Sequence, residues 1–433
     1  MIGIDKHFGW WLREYCVRSS ADTIVHSGLD PRHILLTSPT RIRMSESTLP
    51  TPAPVTAIEI SEVAPPASER LLSLDIFRGI TIAGMLLVND PGTWSAIYPP
   101  LEHSEWNGWT PTDLVFPFFL FIVGVAMTFS FGKLLAKGVE RGEILRKSAK
   151  RAAILFGLGL LQHSFPWVGY DYGELRIPGV LQRIAVSFLV ATPIVLWVGR
   201  RGRAAVTAAI LLAYWAIMRF VPVPGVGAGV WEPGQDIGAY IDRAIFTTNH
   251  LWAESRTWDP EGLLSTLPAV ATVLLGVFAG EWLRSRRGVR ERVWGLLLAG
   301  VALAAAGQLW ALDFPINKKL WTSSFVLFTA GLALLGLALC YWVADVKRYR
   351  RWGFPFIILG VNAIATYWLA EITAALMSKI HIGDASLQEW IYQSAFATWL
   401  VPINASLAYA IAFVLFWMGV MWVFYKRGIF IKV

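Results

Sequence analysis

His103, Asn89 and Asp113 are the residues whose types and spacing could carry out a group transfer. An imidazole with an ordinary pKa of about 6.5 can take a proton from an incoming amine or hydroxyl at neutral pH. Asp113 could orient that ring and stabilise its charged form, as the carboxylate of a triad does, while the Asn89 amide could donate to a developing oxyanion. Each has a plainer reading. A lone loop histidine is commonly a surface residue, and Asp113 could simply be the N-cap of the helix that Pro111 and Thr112 begin. Glu102 and Glu105 flank His103 and favour its protonated form, whereas partial burial opposes it, so the sequence leaves its charge open.

Two apolar runs, 71–89 and 112–134, hold these residues in place. A span needs roughly 20 residues at about 1.5 Å each, so both runs read as membrane helices and the loop between them lies at one membrane face. On the first helix Asp75, Arg78 and Asn89 fall within a stripe of roughly 60°. Ionisable residues inside a span are costly and mark a pathway or site, although an Asp75–Arg78 pair can also do no more than fasten helices together.

The whole chain has the composition that such helices require. With 433 residues, 55% hydrophobic and 16% charged, and a mean hydropathy of +0.51, it reads as an all-α, polytopic helical bundle in a membrane. Apolar runs at 71–89, 112–134, 148–165, 177–198, 204–220, 263–283, 293–311, 322–343, 354–377 and 404–425 predict about ten spans. The stretch 386–400 is too short and polar, and reads as an interfacial or re-entrant helix. The net charge of +8 sits mostly in alternate short loops (133–151, 200–203, 284–292, 347–351), which makes it a topology signal rather than a nucleic-acid surface. Those loops and both termini are expected in the cytoplasm, and the His103 loop outside. Cys16 and Cys340 allow neither a disulfide framework nor a thiolate cluster, and the seven histidines form no metal-ligand pair, so no metal is expected.

Several other residues invite a role. Arg183 sits about 9 Å inside the fourth span and needs a partner, from Asp75, Asp113, Glu261 or an anionic ligand. WDPEG opens the sixth span with Asp259 at the N-cap, Pro260 first and Glu261 in the first turn, a good local helix start. NKKLWTSS puts Lys318, Lys319 and Trp321 on the outward side against the positive-inside trend, which suits an anion site or snorkelling lysines. Trp231, Trp252 and Trp258 in the 221–262 connection could stack on a sugar or belong to an aromatic belt. Residues 1–68 are polar and Pro/Ser/Thr-rich and are expected to be disordered. Met44 opens an ordinary soluble leader, so residues 1–43 are expected to derive from an upstream start codon, which intact-mass measurement would test.

SLDIFRGITIAGMLLVN, HSEWNGWTPTDLVFPFFLFIVG, RIPGVLQRIAV, DPEGLLSTLPA and NKKLWTSSFVLFTAG resemble, in unbroken order, the motifs of the heparan-alpha-glucosaminide N-acetyltransferase family. The resemblance runs from about residue 69 to the C-terminus and implies a transmembrane acyltransferase domain over 69–433. It implies acetyl-CoA as donor and an amino sugar or related glycan as acceptor, in a bacterial inner membrane with the active-site loop facing the periplasm. His103 falls on the family's catalytic histidine in HxxWNG and Asn89 on its active-site asparagine, a few residues further from the histidine here. Trp106, Asn107 and Glu261 are then expected to bind acceptor, and Arg78, Asp75, Arg183, Lys318, Lys319 and Trp321 to bind donor. The bilayer is the expected partner, with a homodimer left open. The rival class is a transporter for a sugar or sugar acid, since buried charges also mark transport pathways, but no internal repeat supports alternating access.

Overall fold

The computed structural model describes residues 71–431. The expectations for residues 1–68 lie outside that range. Thirteen α-helices occur among the described residues. They are α1 (Leu72–Asn89), α2 (Val115–Ala136), α3 (Arg141–His163), α4 (Val180–Trp197), α5 (Arg200–Phe220), α6 (Ile237–Phe246) and α7 (Thr266–Leu283). After these come α8 (Val289–Trp310), α9 (Ser323–Cys340), α10 (Phe354–Val361), α11 (Ala363–Lys379), α12 (Leu387–Ala395) and α13 (Pro402–Lys426). Two two-residue strands, β1 (His381–Ile382) and β2 (Ala385–Ser386), form a hairpin before α12.

This is an all-α polytopic membrane fold, as the apolar periodicity predicts. Eight helices among the described residues are long and apolar enough to cross a membrane, or nine if α10 and α11 count as one span bent by 71°. The difference from ten has two sources. The run at 148–165 lies in α3, whose first turns carry Arg146, Lys147, Lys150 and Arg151, and the run at 354–377 breaks at Asn362. The buried Asn362 ties that bend to the end of the chain, donating from Nδ2 to Ile429 O (3.1 Å) and accepting at Oδ1 from Ile431 N (2.9 Å). The stretch 386–400 yields the nine-residue α12, too short to span.

Close backbone approach fixes the inner helices. A Cβ at Gly79 of α1 would lie 1.8 Å from Phe356 O on α10, and one at Gly124 of α2 would lie 1.9 Å from Val273 O on α7. Only glycine permits such contacts, and helices without a hydrophobic drive toward one another associate by this kind of packing. Leu120, Phe121, Val273 and Phe325 fill the space between them with no exposed surface. α5, α8 and α13 leave most of their surface outside the protein, as helices facing lipid do. At one end the long loops interlock: Gly108 N donates to Ile316 O (2.8 Å) and Ile177 N to His250 O (3.0 Å), while Trp106 Nε1 donates to Trp231 O (2.7 Å).

Candidate active site

The site forms at that looped end, where α1 finishes at Asn89 and a 3₁₀ turn, Pro111–Leu114, leads into α2. Thr110 is the N-cap of the turn and Asp113, at its third position, closes a capping box. Asp113 Oδ2 accepts from Thr110 N (3.0 Å) and Ser104 N (3.0 Å), and its Oδ1 lies 2.7 Å from His103 Nδ1. One carboxylate therefore both caps the turn and aims the imidazole. An ionised carboxylate can only accept, which assigns the proton to Nδ1 and leaves the lone pair of Nε2 free to act as a base. Asp113 has 1% of its side-chain surface exposed and His103 has 42%, so the orienting group is enclosed and the base remains reachable.

Lys318 completes the cluster. Its Nζ lies 3.0 Å from His103 Nδ1, 3.2 Å from Nε2 and 3.6 Å from Asp113 Oδ1. The loop that carries it is held by hydrogen bonds to Asn317. Buried Asn317 accepts from Leu320 N (2.8 Å), donates from its own N to Thr322 Oγ1 (3.1 Å), and reaches Asn107 Oδ1 from Nδ2 (3.2 Å). Asn317 thus ties the lysine loop to the histidine loop. Burial lowers the His103 pKa from its ordinary 6.5, the bond to Asp113 opposes that, and Lys318 and Lys319 lower it further. Burial and the lysines outweigh Asp113, and the imidazole is held toward its neutral form.

His103 opens onto a cavity of about 330 Å³, within the size range of small-ligand sites. Asn89, Lys318, Lys319, Glu261, Trp252 and Trp258 contribute to its walls. Asn89 is held by Glu371 of α11, with Nδ2 donating to Oε1 at 2.9 Å. Glu261 is not a free carboxylate. Arg176, also in the wall, donates to Asp259 at 2.9 and 2.7 Å and to Glu261 at 2.6 Å. Burial alone would lower the Arg176 pKa, but the two carboxylates outweigh it and raise it. Trp258 meets Trp252 edge-on at 5.2 Å, an aromatic wall of the kind that carries sugar rings, and Trp106 backs Trp258 from outside the cavity at 5.1 Å.

A second cavity of about 320 Å³ lies toward the opposite end of α1. Arg78 and Arg151 face it, and Ala363 and Ile364 of the first turn of α11 form part of its wall. The N–H groups of a first turn have no acceptor within their own helix and favour anions. Only a thin septum separates the two cavities. Phe116, Val180 and Tyr367 line the outer one, and Phe119, Ile184 and Ile364 line the inner one. On each of three helices the step is three or four residues, or about 4.5–6 Å.

The sequence-predicted residues divide accordingly. His103, Asn89, Asp113, Lys318, Lys319 and Glu261 come together at the outer cavity, whereas Arg78, with Asp75 3.4 Å away, belongs to the inner one. Arg183 lines neither cavity. Its bonds go to none of the three carboxylates expected, Asp75, Asp113 and Glu261: it donates to Ser265 Oγ and Gly262 O (3.3 Å), and stacks on the Trp321 ring at 4.9 Å. Trp321 is a core residue, wedged against Phe116 (5.0 Å) and Phe325 (5.3 Å). Asn107 and Trp106 support loops rather than line the cavity. Arg176, Glu371, Asn317 and Arg151 escaped the sequence reading. Glu371 and Arg176 had a visible signal, a lone acid within an apolar run and an arginine opening the RIPGVLQ motif.

The profile of a family described as heparan-alpha-glucosaminide N-acetyltransferase, catalytic, matches residues 70–309. The chain is 28% identical over 447 aligned residues to heparan-alpha-glucosaminide N-acetyltransferase from Mus musculus, which covers 90% of this chain and 65% of the mouse protein. It is 29% identical over 349 residues to the Homo sapiens protein of the same name, covering 69% of this chain and 52% of that protein. The matches therefore span between about half and two thirds of the length of these relatives.

Proposed function

This chain belongs to the heparan-alpha-glucosaminide N-acetyltransferase catalytic family, and from that premise we propose that it is a membrane acetyltransferase working across its own thickness. Acetyl-CoA enters the inner cavity, where Arg78, Arg151 and the first turn of α11 offer donors to its phosphates. Its thioester arm extends along α1 toward Asn89, eleven residues on, or about 16 Å at 1.5 Å per residue. The acceptor, an amino sugar or related glycan, lies in the outer cavity against Trp252 and Trp258, with its nucleophile at His103 Nε2. Residues 69–433 form the catalytic domain, which sits in a bacterial inner membrane with its inner cavity toward the cytoplasm and His103 toward the periplasm.

His103 acts as general base in this scheme, Asp113 keeps its Nδ1 protonated, and the second N–H of the Asn89 amide is available to the thioester oxygen. The observation that carries the reading is the pair of cavities, chemically unlike and one helical turn apart. In oriented proteoliposomes, acetyl-CoA supplied only at the Arg78 face should acetylate glucosamine trapped at the His103 face. Product that forms only when both substrates share a compartment would overturn transfer across the membrane, and unmodified glucosamine crossing the bilayer would favour a transporter.

A further inference from the structure

Lys318 lies against His103, and the scheme above leaves it without a task. A coenzyme-binding role fits poorly, because Arg78, which suits phosphates, lies eleven residues from Asn89 along α1, or about 16 Å. A nucleophilic role would defeat turnover: an amine attacking a thioester yields an N-acyl lysine, an amide far less reactive than the donor, and the acyl group would stay there. What remains is the charge. With 16% of its side-chain surface exposed, Lys318 points into the cavity wall on the loop that Asn317 fixes.

We propose that Lys318 is a further catalytic residue, a cation that holds His103 neutral in the resting site and shifts onto the acyl oxygen when the tetrahedral intermediate forms. The proposal rests on the acetyltransferase reading. In the resting site the Lys318 ammonium lies 3.0 Å from Nδ1 and 3.2 Å from Nε2 of His103, close to both ring nitrogens, so its charge opposes protonation of the ring while the Nε2 lone pair stays open to the acceptor. When the acceptor amine attacks, the C–N bond forms, the carbonyl π pair moves to oxygen, and the amine proton passes to Nε2. The ring is then an imidazolium beside Lys318, so repulsion favours moving the ammonium to the new oxyanion. Collapse breaks the C–S bond, the thiolate leaves with its electron pair, and the imidazolium proton leaves to the thiolate or to solvent. A charge placed to act where charge develops is the commonest large source of enzymatic rate enhancement.

The charged groups at His103 are Asp113 from the 3₁₀ turn, Lys318 and Lys319 from the 311–322 loop, and Glu102 and Glu105 from its own loop, with Glu261 and Arg176 across the cavity. Asp113 raises the His103 pKa and the two lysines lower it. Burial lowers the Lys318 pKa from 10.5, and Asp113 and Glu261 act against that. Loss of the Lys318 charge must therefore shift His103 toward its protonated form.

Lys318→Met and Lys318→Arg, in the full chain, test this by two readouts. Acetyl transfer from acetyl-CoA to glucosamine should fall by roughly 10²–10³-fold in kcat for Lys318→Met, with both KM values within about threefold. Its acidic limb should move to higher pH, and Lys318→Arg should restore part of the rate and the original limb. Independently of turnover, the pH at which diethyl pyrocarbonate modifies His103 should rise in Lys318→Met and return in Lys318→Arg. An unchanged kcat, a loss confined to acetyl-CoA KM, an unmoved His103 midpoint, or an acetyl adduct on Lys318 during turnover would each overturn the proposal. A fully active His103→Ala would instead sink the acetyltransferase site itself, leaving the two failures distinguishable.

Discussion

The two cavities along α1 have nearly equal volumes, about 330 and 320 Å³, and differ in how their charges are held. At the outer one every charged group has a fixed partner: His103 with Asp113, Arg176 with Asp259 and Glu261, and Lys318 between the imidazole and Asp113. The bonds run mostly between loops and close a precise constellation. At the inner one Arg78 is held within one region of the bundle, by Asp75 a turn away (3.4 Å) and Gly360 O (3.3 Å), and the guanidinium of Arg151 lies over the Phe188 ring at 5.3 Å, among apolar walls and the start of a bent helix. The first arrangement suits chemistry, which needs groups placed to a fraction of an ångström. The second suits a long anionic ligand, which needs charge and room. Volume alone would not have separated them.

The comparison breaks most sharply at His103. His103→Ala should lower kcat by roughly 10²–10⁴-fold while leaving the thermal midpoint and acetyl-CoA binding unchanged, because the ring is 42% exposed and packs little. Since burial and the lysines lower its pKa below 6.5, kcat/KM of the unmodified protein should persist to a lower pH than a free imidazole allows, failing only as His103 protonates. A steady fall beginning above pH 6.5 would mean that another group is the base. The inner cavity answers to a different measurement. Arg151→Ala should raise the acetyl-CoA KM by about tenfold, the scale of one charged hydrogen bond, and leave the glucosamine KM alone. A change in glucosamine KM would erase the division of labour between the cavities. Arg151 is the better probe than Arg78, whose pairing with Asp75 would add a stability effect.

The sequence made the outer chemistry legible because His103, Asn89 and Asp113 sit within one loop and the two helix ends that frame it. Local spacing was enough to bring them together, and enough to raise capping against catalysis for Asp113; the structure makes Thr110 the N-cap and Asp113 the third residue of a capping box that also bonds the imidazole. The burial of Arg183 was legible too, although its helix begins at Val180 and places it in the first turn, about 4.5 Å in rather than about 9 Å. Its partners were not, since a serine hydroxyl at 265 and a backbone carbonyl at 262 carry no signature. Lys318 stood out as a charge on the wrong side, yet its neighbour lies 215 positions away, a distance no periodicity bridges. Arg176 and its carboxylates are 83 and 85 positions apart. Arg151 was hidden in a basic run whose topological meaning was sufficient to explain it.

The smallest expected effect distinguishes the two ends by pH. Asp242, on α6 above the outer cavity, accepts from Leu263 N at 2.8 Å and abuts Gly262, where a Cβ would lie 1.9 Å from its Oδ2. It therefore braces the chain between the Glu261 wall and the start of α7. Burial raises its pKa from 3.8 to about 7, the bond from Leu263 opposes this, and the neighbouring Asp259 and Asp236 raise it further. A carboxyl that binds its proton more tightly folded than unfolded stabilises the protein in full below 3.8, and that contribution is lost as pH rises to about 7. Above that it changes no further. Asp242→Asn keeps the acceptor for Leu263 N and removes the titration. The thermal midpoint of the unmodified protein should thus decline relative to the variant between pH 4 and 7, by a few degrees at most, and run parallel to it at higher pH. Parallel curves throughout would show that Asp242 is ionised in the folded protein across the range, and that the cap over the histidine end is no more sensitive to pH than the arginine end.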